Sequence, residues 1–233
     1  MRFRAVMFDV GETLVHPAPS FPELFATIVR EAGYERDAGA VVEASVAVRH
    51  RFSEASRDGD LWTLTPDSSR AFWLGVYERM LESLDLPSAD GLRERLYAGF
   101  TDLANYALFD DVPEALEDLT AAGLILGIVS NFEAWLDDLL GRLGVRELFP
   151  VRVISGLEGL EKPDPRIYGL ALERAGVPAG DTAFVGDNPE FDIAPPAALG
   201  MFPVLIDRRV RHPDHAGTRI TDLRELAALL EAA

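Results

Sequence analysis

Residues Ala5–Phe8 form an unbroken apolar run, with Arg4 before it and Asp9 after it. Such a run has the pattern of a strand buried on both faces of a parallel sheet. Residues 124–129 read as a second buried strand, and 151–154, 182–185 and 202–206 as further strands. Between these runs lie segments with apolar residues at helical spacing: 112–122, 133–143, 166–175 and a terminal stretch, 220–230. Pro113 falls in the first turn of its helix, where proline is tolerated, and Gly123, Gly144 and Gly176 stand where helices should stop. Pro195 and Pro196 read as the first turn of a further short helix.

The stretch between the first two strands has a different pattern. Residues 16–20 hold two prolines and are expected to break the chain, and from 21 to 104 nothing reads as a strand. Helical spacing appears at 21–32, 40–52, 70–84 and 92–103, separated by turn-rich pieces at 57–60 and 86–88. Trp62, Phe72, Trp73 and Tyr77 are expected to fill the core of this insert, and Arg49, His50 and Arg51 to form a solvated helix face. Strands alternating with helices across short connections imply right-handed crossovers. The expected fold class is therefore α/β: a Rossmann-like, doubly wound parallel sheet formed by residues 1–15 and 108–233, with an all-helical cap domain at 16–107.

Composition narrows the function. The 233 residues suffice to bury a substantial core, and the absence of cysteine excludes disulfides and thiolate metal sites. A formal charge of −17 argues against nucleic acid as a partner, because its phosphates would be repelled. No apolar run approaches the ~18 residues that a membrane helix needs, and with the first strand at the start of the sequence no signal peptide is expected. A soluble, cytoplasmic protein is expected, with its oligomeric state open. The four histidines show no metal-ligand spacing.

The chemistry lies at the strand ends. Asp9, Ser130 with Asn131, the loop carrying Lys162, and Asp187 each follow a buried strand. In a parallel sheet those ends share one edge, so the groups should converge. Two facing carboxylates there become compatible when a hard cation such as Mg²⁺ lies between them. Ser130 and Asn131 can donate to a phosphate, and Lys162 supplies a point positive charge. These are the components of phosphoryl transfer to a carboxylate. Each has a blander alternative: a strand-terminating Asp9, Ser130 and Asn131 capping the helix near Glu133, a surface Lys162, and Asp187 and Asp192 as helix-start acids.

Four motifs in order make the chain resemble the haloacid dehalogenase-like hydrolase superfamily, in the branch whose helical cap follows the first motif. They are Asp9-Val-Gly-Glu-Thr13, Ser130-Asn131, Lys162-Pro-Asp-Pro165, and Gly186-Asp187 with Asp192 five residues on. The resemblance implies that Asp9 is a nucleophile forming an aspartyl-phosphate and that Thr13 holds the loop after it. It implies that Ser130, Asn131 and Lys162 bind the phosphoryl group. Mg²⁺ would be held by Asp9, the carbonyl of Gly11 and Asp187, supported by Asp192, and the substrate would be a small phosphorylated metabolite.

One position departs from the pattern. Phosphatases of the family usually carry a second Asp two residues after the nucleophile, as general acid and base, and here that position is Gly11. Four explanations stand: Glu12 reaches the leaving group, the leaving group needs no proton, the cap or the substrate supplies the acid, or turnover is weak. Two rival functions follow: a non-catalytic phosphate-binding or regulatory protein, and a 2-haloacid dehalogenase. The dehalogenase branch lacks the acid after the fourth strand and carries an aromatic residue where this chain has Gly11.

Overall fold

The computed structural model describes residues 2–45, 54, 61–88 and 91–233. They fall into two compact units, Met1–Val15 with Leu108–Ala233, and His16–Ala107. The first is an α/β unit. Its strands β1 (Ala5–Phe8), β4 (Ile125–Ser130), β5 (Val151–Ile154), β6 (Thr182–Gly186), β7 (Phe202–Ile206) and β8 (Arg219–Ile220) form one parallel sheet in the order β5-β4-β1-β6-β7-β8. All four residues of β1 are fully buried, as a central strand covered on both faces requires. Val6 pairs with Leu126 on one side and Ala183 on the other, so strand order reverses at β1. The crevice beyond the carboxyl end of such a strand is where open α/β sheets bind ligands.

Helices α5 (Val112–Ala121), α6 (Leu136–Arg142), α7 (Ser155–Glu158), α8 (Pro165–Ala175), α9 (Ala194–Ala198) and α10 (Leu226–Ala232) connect or flank the strands. One face of the sheet and α8 share a core in which Met7, Val129, Val153, Ile167, Tyr168 and Phe184 are buried together.

The second unit is helical. It contains α1 (Phe21–Glu31), α2 (Ala38–Ala44), α3 (Pro66–Ser83) and α4 (Leu92–Phe100). Local chemistry sets the helix starts. Ser20 accepts from the Glu23 amide, Asp37 from that of Ala40, and Thr65 and Ser68 close a reciprocal capping box. Of the expected aromatic core, Trp62, Phe72 and Tyr77 are buried, with Trp62 stacked on Phe72 at 4.9 Å and Tyr77 on Phe100 at 5.6 Å, while Trp73 is half-buried.

Several sequence expectations are corrected. Residues Val15–Pro17 are not a break but a short strand, β2, paired with β3 (Tyr106–Leu108) in a two-stranded ribbon. Proline is tolerated in a strand that lies at a sheet edge. The helix expected over 133–143 begins at Leu136, and no side chain caps it, so Ser130 and Asn131 are not its caps. Ile220 belongs to β8, an edge strand too short to show any periodicity, and the terminal helix starts only at Leu226. Helix α3 starts one turn earlier than apolar spacing suggested, because Thr65 and Pro66 set its N-terminus. The readings at 46–52, including Arg49 to Arg51, and at 57–60 lie outside the described residues.

Candidate active site

The backbone brings the strand-end residues together. The Asp9 amide donates to the Val185 carbonyl at 2.9 Å, which extends the β1–β6 ladder by one residue and leaves the Asp9 side chain at the crevice. Ser130, the last residue of β4, donates from Oγ to Asp9 Oδ1 at 3.2 Å. Lys162 is only 4% exposed, and its Nζ lies 2.7 Å from both Asp9 Oδ1 and Asp192 Oδ1. It is therefore no surface lysine.

Asp9, Asp187 and Asp192 each offer a carboxylate oxygen, and the three oxygens lie within 4.8 Å of one another. With all three carboxylates ionised, one ammonium leaves two negative charges over, which is the balance a divalent cation would close. The proton equilibria reflect this crowding. Burial, then repulsion by Asp9 and Asp192, pushes the Asp187 carboxyl well above its ordinary value. Burial also raises Asp192, to about 6, although attraction to Lys162 opposes the shift. For Lys162, burial acts to lower the ammonium's pKa, but its attraction first to Asp192 and then to Asp9, with both hydrogen bonds, leaves it raised.

Each of these groups is held by neighbours. Asp192 sits in the turn Pro189–Ile193, where its Oδ2 accepts from the Asn188 amide at 3.0 Å. Its carboxylate lies flat against Gly186: a Cβ at 186 would come within 2.3 Å of Asp192 Cγ. Glycine in that motif is thus a space requirement. Tyr168, fully buried on α8, donates its hydroxyl to the Phe191 carbonyl of the same turn. Burial, then the charges of Asp192 and Asp9, keeps that phenol far above its usual range, hence a donor.

The Asn131 side chain is engaged by the Lys162 loop: Nδ2 donates to the Lys162 carbonyl at 2.8 Å and Oδ1 accepts from the Lys162 amide at 2.6 Å. Both ends of the amide fix the backbone of the loop that aims Lys162. Thr13 is fully buried; its carbonyl accepts from Arg208 at 2.8 Å, while its hydroxyl has no hydrogen-bond partner among the described residues. Gly11 has open space where a side chain would stand.

Glu12 has φ 57°, in the left-handed region that disfavours a residue with a Cβ. Its Oε2 meets Arg209 Nη2 at 2.9 Å, and it lines a shallow cleft with Asp187 and Arg209. Sequence reasoning passed over Tyr168, Arg208 and Arg209. The arginine pair that follows Asp207 at the end of β7, in a chain poor in cations, was the available signal for the last two; for Tyr168 there was none, since its apolar helical spacing reads as core.

Fold and site together define a hydrolase of the α/β type with a carboxylate at the strand-order reversal. The chain belongs to the haloacid dehalogenase-like hydrolase family, whose model matches residues 3–200. It is 30% identical over 213 residues to the human haloacid dehalogenase-like hydrolase domain-containing protein 3, covering 88% of this chain and 82% of that one. It is 29% identical to a phosphoserine phosphatase of Thermus thermophilus, covering 96% and 97% of the two chains. A crystal structure of a dehalogenase superimposes with a TM-score of 0.74 at 26% identity, covering 97% and 96%. Among the described residues, no helix is long and apolar enough to cross a membrane.

Proposed function

We propose that the protein is a Mg²⁺-dependent phosphatase of a small phosphorylated metabolite, with Asp9 as nucleophile. The observation that carries this reading is the cluster of Asp9, Asp187 and Asp192 around the single ammonium of Lys162. The 2-haloacid dehalogenase branch shares the counterparts of Asp9, Ser130-Asn131 and Lys162 but lacks the metal-binding acid after the fourth strand, so Asp187 favours phosphate over halide. A phosphoserine phosphatase and a 2-haloacid dehalogenase are relatives of nearly equal identity, so the acid cluster and not the relatives carries the choice.

In this reading Asp9, the Gly11 carbonyl and Asp187 hold Mg²⁺, with Asp192 supporting both ion and lysine. The ion supplies charge neutralisation that lets a phosphate approach three carboxylates. Lys162 and Ser130 bind phosphoryl oxygens while keeping an Asp9 oxygen aimed at phosphorus, and Asn131 acts by fixing the Lys162 backbone. Asp9 attacks phosphorus, the bond to the leaving oxygen breaks, and water then hydrolyses the aspartyl-phosphate. The unit His16–Ala107 acts as the cap that selects the substrate, and the protein works in the cytoplasm without nucleic acid or membrane partners.

The test is phosphate release from p-nitrophenyl phosphate and acetyl phosphate, with and without Mg²⁺, beside Asp9→Asn. Metal-dependent release that the substitution abolishes supports the reading. Intact Mg²⁺ binding with no release from either compound would favour a non-catalytic phosphate-binding protein, while halide release from a 2-haloacid would favour the dehalogenase.

A further inference from the structure

The loop after β7 carries two consecutive arginines, and both reach the turn that follows Asp9. That turn is closed from within by its own amides. Those of Leu14 and Val15 donate to the Val10 carbonyl at 2.8 and 3.0 Å, and that of Glu12 donates to the Val15 carbonyl at 2.8 Å. Glu12 nonetheless stands in the left-handed region, a backbone state that persists only where the surrounding structure enforces it. The Thr13 carbonyl is bonded from outside the turn, by Arg208 Nη2 at 2.8 Å.

The two arginines differ in what they can enforce. Arg209 meets the Glu12 carboxylate with both side chains well open to solvent, where screening leaves an ion pair little strength. The Arg208 side chain is only 13% exposed. Its Nη1 donates to Asp111 Oδ2 at 2.6 Å, and its guanidinium lies 4.0 Å from the centre of the Phe109 ring. Asp111 Oδ2 also accepts from the Leu223 amide at 2.7 Å, which fixes the carboxylate in turn. The backbone beneath Arg208 is equally held. The Asp207 amide donates to the Ile220 carbonyl, and the Asp207 carboxylate accepts from the amides of Arg211 and His212. A planar fork gripped at one nitrogen and one face holds its other nitrogen in a fixed place, and here that place is the Thr13 carbonyl.

We propose that Arg208 is a positioning residue: it holds the turn from Val10 to Thr13, and with it the Gly11 carbonyl, in the arrangement the cation needs. This rests on the phosphatase reading above, which gives the Gly11 carbonyl its role. Arg208 acts through the Thr13 carbonyl rather than on the reacting atoms. Gly11 has no side chain to restrict its own backbone, so an anchor elsewhere in the turn has more to do.

The test is hydrogen exchange of backbone amides in the metal-free protein, with Mg²⁺ affinity measured by calorimetry on the same variants. Arg208→Met alone strands the buried charge of Asp111, so it is combined with Asp111→Asn, whose amide oxygen can still accept from Leu223. Asp111→Asn by itself keeps the Arg208 contact to Thr13 and is the reference. Adding Arg208→Met is expected to lower protection of the Glu12, Leu14 and Val15 amides by about 10-fold or more, the loss of one hydrogen bond from a charged donor. The Met7 and Phe8 amides of β1 are expected to change less. Mg²⁺ affinity is expected to fall by about 10- to 100-fold, as when a group supporting a ligand is lost. Unchanged Mg²⁺ affinity, or a loss of protection no larger in the turn than in β1, would overturn the proposal and leave Arg208 a stabilising ion pair. A natural protein that binds no Mg²⁺ would instead overturn the phosphatase reading, while the exchange comparison would still decide whether Arg208 holds the turn.

Discussion

Lys162 Nζ and Asp192 Oδ1 lie 2.7 Å apart, both side chains almost wholly buried, with Asp9 at the same distance on the other side of the ammonium. A buried lysine bridging two carboxylates is costly to assemble and more costly to interrupt, since removal of one partner leaves charge uncompensated in a dry site. Lys162→Met is therefore expected to destabilise the metal-free protein by about 3–5 kcal/mol. Chemical denaturation would measure it. A loss below about 1 kcal/mol, the range of exposed ion pairs, would mean that the cluster is solvated.

The raised carboxyls give a pH dependence of definite sign. Asp192 sits at about 6 against an ordinary 3.8, and Asp187 is also well above it. Between those values the metal-free native state holds protons that the unfolded chain has released. The stability contributed by these groups is present at low pH and is lost as pH rises through about 6. A cation needs the same groups deprotonated, so Mg²⁺ affinity should rise over that window. Thermal unfolding and calorimetric titration with Mg²⁺, each at about pH 5 and about pH 7, check both signs against the carboxylate scale. Affinity that does not change between them would contradict the assignment of these two residues to the cation.

Gly186 and Asp192 give a steric test. Because a Cβ at 186 would fall 2.3 Å from Asp192 Cγ, Gly186→Ala must displace that carboxylate. Overpacking of this kind costs about 1–3 kcal/mol. Mg²⁺ affinity is expected to fall by about 10- to 100-fold, as when the group supporting a ligand is moved. Calorimetry on a folded variant measures the effect, and unchanged affinity would remove Asp192 from the site.

Tyr168→Phe takes the hydroxyl from the Phe191 carbonyl without changing the packing against Phe184. Loss of this buried hydrogen bond should cost about 1 kcal/mol of stability. Mg²⁺ affinity should drop with it, because the turn it holds also carries Asp192. A stability loss with no change in affinity would limit Tyr168 to packing.

Much of this site was legible because chemistry at the edge of a parallel sheet follows the strands, and the strands announce themselves as apolar runs. Asp9, Ser130, Lys162 and Asp187 could be placed at one edge from that pattern alone. What the pattern could not give was the use of each side chain. Asn131 looked like an anion contact, yet its amide matches the backbone of Lys162 on both donor and acceptor sides. The φ of 57° at Glu12 and its pairing with Arg209 are properties of the turn and the cleft, invisible in residue type. The ribbon at Val15–Pro17 and the edge strand Arg219–Ile220 escaped notice for a simpler reason: three residues and two residues are too few to carry periodicity.

The central claim is that Asp9 becomes phosphorylated. Rapid acid quenching of the protein with acetyl phosphate and Mg²⁺, followed by mass spectrometry of its peptides, tests it most directly. The account expects one phosphoryl group on the peptide containing Asp9, absent without Mg²⁺ and absent in Asp9→Asn. Steady phosphate release with that peptide unmodified at every quench time, or release that persists in Asp9→Asn, would contradict it.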